Sequence, residues 1–218
     1  ISGARIPLNV MVSVTNRCPS HCSYCYIPTR NQREMTLPEI RRLIDEMAEM
    51  GCVRLGIWGG EPLMRKDIGR IIDHAKERGM WVTMDTNGYL MKERIDDIMN
   101  IDHLMFGLDG DEEKHDSNRE KGSFRKTMMG IEMARSRDLN VWTITVLTKR
   151  NLDAIPFVLR TAKEYGLKAT FQVLHHNDHL GRGGDALRPD NDAYRKAILA
   201  LIQAKKSGEP VGSSLRYL

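Results

Sequence analysis

Three cysteines stand close together near the start of the chain, Cys18, Cys22 and Cys25, separated by three and then two residues. A loop of this length can turn three thiolates toward one point, and thiolates bind zinc and iron–sulfur clusters. A tetrahedral structural zinc site would need a fourth Cys or His ligand. Three thiolates alone fit a [4Fe–4S] cluster that leaves one iron open, and an open coordination position is typical of catalytic metal sites.

The chain offers two further candidates for a fourth ligand, and neither fits well. Cys52 is predicted to begin the second strand, at the end of the sheet opposite the cysteine loop, so we interpret it as a small buried residue. His21 lies between two of the cysteines, where its side chain would point elsewhere. A purely structural site with three cysteines remains an open alternative.

The elements that must position this loop repeat six times as an apolar strand followed by an amphipathic helix. The predicted strands are 8–14, 53–58, 81–84, 103–106, 141–147 and 169–174, and the predicted helices are 37–50, 65–78, 92–99, 124–137, 152–165 and 192–205. Continuous apolar strands alternating with helices indicate a parallel sheet covered by helices. We therefore expect an α/β fold, a partial (β/α)6 TIM-like barrel with strands inside and helices outside. An open doubly wound sheet is the alternative.

Both architectures place chemistry at the carboxyl ends of the strands, and the unusual residues of this sequence fall there. The three cysteines follow the first strand, residues 59–62 (GGEP) the second, 85–88 (DTNG) the third, and Asp109-Gly110 the fourth. The opposite ends carry plain turns such as residues 77–79. This asymmetry predicts an active site at the carboxyl end of the sheet.

Other aromatic and imidazole side chains are weaker candidates. His175, His176 and His179 follow the sixth strand in a loop, not on one helical face, which favours the border of a substrate pocket over a metal site. We interpret the three tryptophans as core residues; they are Trp58, Trp81 and Trp142.

The segment CPSHCSYC at residues 18–25 resembles the CxxxCxxC signature of the radical S-adenosylmethionine (SAM) superfamily, including the aromatic residue before the third cysteine. GGEP at the end of the second strand is similar to the superfamily's GGEP motif. Residues 86–88, 108–110 and 115–119 are also similar to family members. The resemblance covers roughly residues 8–206, and we assign 1–206 to a radical SAM core domain.

The resemblance implies that Cys18, Cys22 and Cys25 hold a [4Fe–4S] cluster whose open iron chelates the amine and carboxylate of SAM. Tyr24 is then expected near the adenine. Gly59 and Gly60 are expected to let the backbone approach the SAM amino group, where a Cβ would intrude.

Further SAM contacts follow from the same resemblance. Glu61 is implied either to fix the GGEP turn or to receive the SAM ammonium, and Asn87 offers a polar contact. Asp109 is expected near the ribose hydroxyls, and Arg119 is expected to pair with the SAM carboxylate. Many relatives carry Ser where this chain has Gly107, so we expect a water or Asn87 to take the place of that hydroxyl.

The expected activity is that of a radical SAM enzyme. An external one-electron donor, flavodoxin- or ferredoxin-like, reduces the cluster. SAM is cleaved to a 5′-deoxyadenosyl radical, and this abstracts hydrogen from a peptide or from a small-molecule cofactor precursor. The alternatives are a glycyl-radical activating enzyme acting on a partner protein, and a non-catalytic iron–sulfur or zinc binding module.

The similarity is closest to members that modify peptides or build cofactors, often with a C-terminal SPASM-type extension that carries further clusters. No cysteine follows Cys52, so that extension is absent from this chain. Residues 212–218 resemble a cap and the first turn of a further helix. We therefore assign 207–218 to the start of a C-terminal extension and expect the natural protein to continue past it.

Composition and charge narrow the classes of protein to which the chain could belong. Lys and Arg total 33 against 29 Asp and Glu, and this surplus is scattered, so the charge pattern does not favour nucleic-acid binding. No apolar run approaches the roughly 20 residues of a membrane span. Four cysteines are too few for a secreted disulfide scaffold, and the first residues lack a signal-peptide pattern, so we expect a reducing, cytoplasmic setting.

Overall fold

A computed structural model describes residues 7–27, 32–174 and 186–218, and within them six parallel strands form one sheet. The strands are β1 (Asn9–Thr15), β2 (Arg54–Gly59), β3 (Trp81–Thr86), β4 (His103–Gly107), β5 (Val141–Leu147) and β6 (Lys168–Val173). Their spatial order is the chain order, β1 to β6, with no reversal. This order excludes the doubly wound alternative and confirms the predicted partial barrel.

Seven helices lie in the described part of the chain. They are α1 (Leu37–Glu49), α2 (Ile68–Glu77), α3 (Met91–Arg94), α4 (Glu112–Asn118), α5 (Ser123–Ser136), α6 (Ile155–Glu164) and α7 (Asn191–Lys206). The start of α1 follows directly from the sequence, because Thr36 and Glu39 form a reciprocal capping box and Pro38 occupies the first turn.

The apolar core lies between the outer face of the sheet and the helices. Ile57, Met84, Leu104 and Phe106 point toward this layer and are fully buried. Along β5 buried residues alternate with partly exposed ones, as expected for side chains that point alternately to opposite faces. The partly exposed set faces the inside of the curved sheet, which leaves that face available for a site.

The structure corrects three predicted elements. The predicted helix 65–78 begins only at Ile68, after a 3-10 turn over Pro62–Met64. The predicted helix 92–99 is the short α3 followed by a 3-10 turn, Ile95–Ile98. The charged stretch after β4, where no helix was predicted, contains α4.

Helix α4 forms because Asp111 caps it and acidic residues fill its first turn. The Asp111 side chain accepts a hydrogen bond from the Lys114 amide, and Glu112 and Glu113 lie next to the positive end of the helix dipole. The helix ends at Asn118, and its C-cap residue Arg119 has a side chain that is only 9% exposed. This charged stretch therefore buries an arginine beside the strands.

The last described residues add to the free edge of β6. The Ala169 amide donates to the Pro210 carbonyl, and the Gly212 amide donates to the Ala169 carbonyl. The predicted helical turn at the end of the chain is a turn in which the Tyr217 amide donates to the Ser214 carbonyl. Whether a further segment follows stays a prediction.

Candidate active site

The cysteine loop lies at the carboxyl end of the sheet, on the rim of a pocket of about 530 Å³. Cys18, Cys22 and Cys25 line one side of this pocket. The inner faces of β2 to β6 line the other side, with apolar side chains that include Trp58, Met105, Ile144, Val146 and Leu174. The cysteines and the residues that follow β2 and β3 therefore lie together at this end of the sheet.

Local hydrogen bonds fix the shape of the cysteine loop. The Cys25 amide donates to the Cys22 carbonyl at 3.0 Å, which closes a turn between these two cysteines. The amide and the hydroxyl of Ser23 both donate to the Asn118 carbonyl at 2.8 Å, so the loop is attached to the end of α4. On the other side, Asn87 Nδ2 lies 3.8 Å from Cys18 Sγ.

The donor set of this loop fits an iron–sulfur cluster. Burial raises the pKa of Cys18 to about 11, so the free thiol is protonated near neutral pH and must release a proton when it binds iron. Among the described residues, no three His, Cys, Asp or Glu side chains converge on a point where one metal ion would bind. A [4Fe–4S] cluster does not require such convergence, because each thiolate binds a different iron.

Gly59 and Gly60 bring the turn after β2 against the chain that enters the cysteine loop. Gly59 has a φ of +137°, and a Cβ there would lie 2.3 Å from the Thr15 carbonyl oxygen. A Cβ on Gly60 would lie 2.1 Å from the Arg17 carbonyl oxygen. Both glycines also line the pocket. A side chain here is thus excluded by the protein's own backbone, a reason that the sequence did not reveal.

Glu61 lies behind this turn, fully buried and outside the pocket lining. Its carboxylate accepts hydrogen bonds from the Leu63 amide, the Thr86 hydroxyl and the Asn87 amide, at 3.1, 2.8 and 2.8 Å. Burial raises the pKa of Glu61 to about 7, although these donors oppose the rise. The carboxylate joins the ends of β2 and β3. Of the two roles that the resemblance implies for Glu61, this favours fixing the GGEP turn over receiving the SAM ammonium.

Asp109 is the centre of a second buried network, at the end of β4. Its Oδ2 accepts from the Tyr24 hydroxyl and from Arg119 Nε, both at 2.7 Å, and its Oδ1 accepts from the Val146 amide at 3.2 Å. The Asp109 amide donates to His115 Nδ1 at 3.2 Å. Asp109 is fully buried and lies beneath the pocket surface, whereas Tyr24 and Arg119 both reach it.

Arg119 occupies the space that a side chain at position 107 would need. A Cβ on Gly107 would lie 2.2 Å from Arg119 Nη2. The guanidinium therefore covers Gly107 itself, and the expectation that a water or Asn87 takes the place of the missing hydroxyl stays a prediction. Arg119 also lies over the Tyr24 ring, with 5.9 Å between the guanidinium carbon and the ring centroid.

The structure brings together most of the predicted site residues. Those that line the pocket are Cys18, Cys22, Tyr24, Cys25, Gly59, Gly60, Asn87 and Arg119. Glu61 and Asp109 lie behind them and hold the backbone in place. The predicted histidine cluster, His175, His176 and His179, lies outside the described residues.

Two of the pocket residues had no site role in the sequence analysis but carry polar or aromatic side chains of interest. Trp58 was expected in the core but lines the pocket, and Asp85 was named only as part of segment 85–88 and given no role. Trp81 is no core residue either, since it is 50% exposed. Strand alternation is the signal that could have found Asp85, because it places Asp85 and Asn87 on one face. Cys52 is buried before β2, with its Sγ 3.3 Å from the Arg54 carbonyl oxygen, far from the pocket lining.

Comparison with known families identifies the class of this site. The sequence model of the radical SAM superfamily matches residues 12–162, which includes the cysteine loop, the GGEP turn and the ends of β3 and β4. The chain therefore belongs to the radical SAM superfamily of enzymes. Membership implies a [4Fe–4S] cluster and SAM as cofactors.

Two relatives with known names are similar over nearly the whole chain. A PqqA peptide cyclase from Granulibacter bethesdensis is 28% identical over 215 residues, 92% of this chain and 56% of the relative. An AdoMet-dependent heme synthase from Methanosarcina barkeri is 32% identical over 220 residues, 96% of this chain and 62% of the relative. This chain thus spans little more than half the length of these relatives.

A solved structure shows the same fold. SuiB from Streptococcus suis, bound to its precursor peptide SuiA, superposes with a TM-score of 0.78 at 15% identity. The match covers 94% of this chain and 48% of SuiB. Among the described residues, no helix is both long and apolar enough to span a membrane.

Proposed function

We propose that this chain is the catalytic core of a radical SAM enzyme that abstracts hydrogen from a peptide substrate. The observation that carries the proposal is the position of the cysteine loop. Its three thiols stand on the rim of a pocket whose other walls are mostly apolar side chains of the sheet. A reactive carbon radical needs such walls, because they hold the substrate in one orientation and keep water away.

Some residues of this chain would bind the cofactors, and others would keep the surrounding backbone in place. Cys18, Cys22 and Cys25 would bind the cluster. Gly59 and Gly60 would present backbone atoms to SAM from the edge of the pocket. When bound, the cluster and SAM together supply the electron and the carbon radical that abstracts hydrogen from the substrate.

The polar side chains at the rim have complementary tasks. Asn87 lies beside Cys18 and offers an amide to the cluster or to SAM. Arg119 Nε donates to Asp109, and the Nη groups of the same guanidinium would donate to a ligand in the pocket. Cys25 is exposed, which places the loop within reach of a one-electron donor such as a flavodoxin- or ferredoxin-like protein. A reducing, cytoplasmic compartment suits this chemistry.

A peptide is the substrate class that the relatives favour. One relative is a PqqA peptide cyclase, and SuiB binds the precursor peptide SuiA. A small-molecule cofactor precursor is the second candidate, since the heme synthase relative has the higher identity of the two.

The test is anaerobic reconstitution with iron and sulfide, followed by metal analysis and an assay for 5′-deoxyadenosine with SAM and dithionite. We expect about four irons per chain and a product that forms only with SAM present. The variant Cys22→Ala should lose both, whereas the matched Cys52→Ala should keep both. One zinc per chain, or product formation that survives Cys22→Ala, would overturn the proposal.

The substrate class needs a separate measurement. SAM cleavage in the presence of a deuterated peptide mixture, and separately of a deuterated porphyrin precursor, reports which one donates hydrogen. Deuterium in 5′-deoxyadenosine from the peptide mixture supports a peptide substrate. Deuterium from the porphyrin precursor alone would assign the enzyme to the second class.

A further inference from the structure

One carboxylate in the pocket has no hydrogen-bond partner within the part of the chain that the structure describes. Asp85, near the end of β3, lines the pocket and makes no hydrogen bond or ion pair with the described residues. Two other carboxylates at this end of the sheet, Glu61 and Asp109, each accept three hydrogen bonds. A partly buried carboxylate without a donor is costly, so its presence in a pocket indicates a ligand group that supplies one.

The position of Asp85 separates it from the cysteine loop. It precedes Asn87, which contacts Cys18, by two residues, so both side chains point to the inner face and Asp85 lies about 7 Å deeper. Its cross-strand partner is Met105 on β4, and Trp58 stands beside it on β2. Asp85 is therefore surrounded by apolar pocket walls below the level of the cofactor-binding rim.

Among residues 7–27, 32–174 and 186–218, no cation forms an ion pair with this carboxylate. The charge of Arg119 is paired with Asp109 at 2.7 Å. Arg54, one strand away on β2, attracts Asp85 electrostatically, but its Nη2 contacts Thr83 Oγ1 at 3.5 Å and it forms no ion pair with Asp85 among the described residues. The pocket is thus complementary to a positively charged group.

We propose that Asp85 binds a cationic nitrogen of the substrate, the ammonium or guanidinium of a lysine- or arginine-like side chain. The proposal rests on the peptide-modifying function above and names the substrate chemistry it selects. The long methylene stem of such a side chain would pack against Trp58 and Met105, while its charged end meets the carboxylate. Asp85 then determines which residue of a peptide enters the pocket.

Peptide binding tests this without requiring turnover. The probes are two N-acetylated pentapeptides with a C-terminal fluorophore, Ala-Ala-Lys-Ala-Ala and the same peptide with norleucine in place of lysine. Fluorescence anisotropy with the reconstituted, SAM-loaded protein gives both dissociation constants. We expect the lysine peptide to bind about tenfold more tightly, a preference worth one charge-assisted hydrogen bond.

Variants at Asp85 then assign the preference to this residue. Asp85→Asn should abolish the preference, and Asp85→Glu should retain part of it. The control Asp96→Asn, at a side chain that is 80% exposed and outside this pocket, should leave it unchanged. Circular dichroism of each variant verifies that the fold is kept.

Three results would overturn the inference. They are equal binding of the two peptides by the unmodified protein, failure of the lysine peptide to bind, and a preference that survives Asp85→Asn. A rise of about tenfold in the SAM dissociation constant of Asp85→Asn would instead assign the carboxylate to the nucleoside, and would also overturn it. Failure of the proposed function is distinguishable, because it shows as absent 5′-deoxyadenosine in an assay without peptide.

Discussion

Asp85 and Asp109 occupy comparable places at the ends of neighbouring strands, β3 and β4, yet their surroundings differ. Asp109 is fully buried and its two oxygens accept hydrogen bonds from Tyr24, Arg119 and Val146. Asp85 faces the pocket and has no partner among the described residues. The protein supplies three hydrogen-bond donors to Asp109, whereas the Asp85 carboxylate is available to a ligand.

This difference separates the frame of the site from its binding surface. The frame consists of buried polar groups that connect the cysteine loop to the sheet, with Asp109 and Glu61 at its two centres. Tyr24 of the cysteine loop bonds directly to Asp109, so the frame fixes the loop in space. Breaking the frame should cost stability, whereas changing the binding surface should alter recognition and leave stability nearly intact.

The largest effect is expected for Asp109→Asn. This change removes the negative charge beside Arg119, whose side chain is only 9% exposed, and leaves that cation buried without a counter-charge. Breaking one side of a buried ion pair typically costs about 3–5 kcal/mol. We expect a loss of about 3 kcal/mol in the free energy of unfolding, measured by urea denaturation of the metal-free protein.

A second variant shows whether the loss comes from the orphaned charge. The double variant Asp109→Asn/Arg119→Met leaves no buried charge and should recover most of the stability. If the double variant is as unstable as Asp109→Asn alone, the ion pair is not the reason for the loss. That outcome would remove Asp109 from the frame.

A smaller loss is expected for Glu61→Gln. The new amide NH2 would face a hydrogen-bond donor of the protein, the Thr86 hydroxyl or the Asn87 or Leu63 amide, and leave it unsatisfied. A buried unsatisfied donor costs about 1–3 kcal/mol. Urea denaturation should show a loss in that range, while Glu49→Gln, at a side chain that is 72% exposed, should show almost none. Equal losses in the two variants would contradict the role of Glu61.

The architecture could be predicted because it depends on patterns within single segments. Six apolar strands, the Thr36 capping box and the glycines that end helices are local signals, and the structure contains six strands in chain order. Helix α4 was missed for a related reason. Its residues form no apolar stripe, so the N-cap Asp111 is the main local signal of this helix in the sequence, and that signal was not enough to predict it.

The site was predictable as a set of residues but not as a network. Sequence spacing places cysteines, glycines and carboxylates at the same end of the sheet. It cannot tell that Arg119 covers Gly107 and bonds to Asp109, because this contact depends on how α4 packs against β4. The contrast between Asp85 and Asp109 has the same origin, since both are acidic residues near strand ends in the sequence.

His115 accepts a hydrogen bond from the Asp109 amide at its Nδ1, and this should make the stability of the protein depend on pH. Burial lowers the pKa of His115 to about 3, so the folded state keeps this side chain neutral where the unfolded chain would be protonated. The stability that this provides is complete above the unfolded pKa of about 6.5 and is lost as pH falls toward 3. Near pH 5 the free energy of unfolding should therefore rise with pH.

The variant His115→Asn removes this titration. We expect the slope of unfolding free energy against pH to fall by about 1.4 kcal/mol per pH unit near pH 5, the value for one proton. Urea denaturation at several pH values between 4 and 7 measures the slope. An unchanged slope would mean that His115 is not buried in its neutral form and that the frame around Asp109 is looser than described.

The smallest effect on stability is expected for Asp85→Asn, and its sign distinguishes the two carboxylates. Burial raises the pKa of Asp85 to about 6, above its unfolded value of 3.8. The protonated form is therefore favoured in the folded state, and the stability it provides at low pH is lost as pH rises through 6. Asparagine avoids that loss, so above pH 7 the free energy of unfolding of the variant should equal or exceed that of the unmodified protein. The gain should be less than about 1 kcal/mol because Asp85 is partly exposed.

The gain of Asp85→Asn should vanish below pH 4, as urea denaturation at both pH values can show. A clear destabilisation above pH 7 would mean that Asp85 belongs to the frame like Asp109, and the division between frame and binding surface would fail.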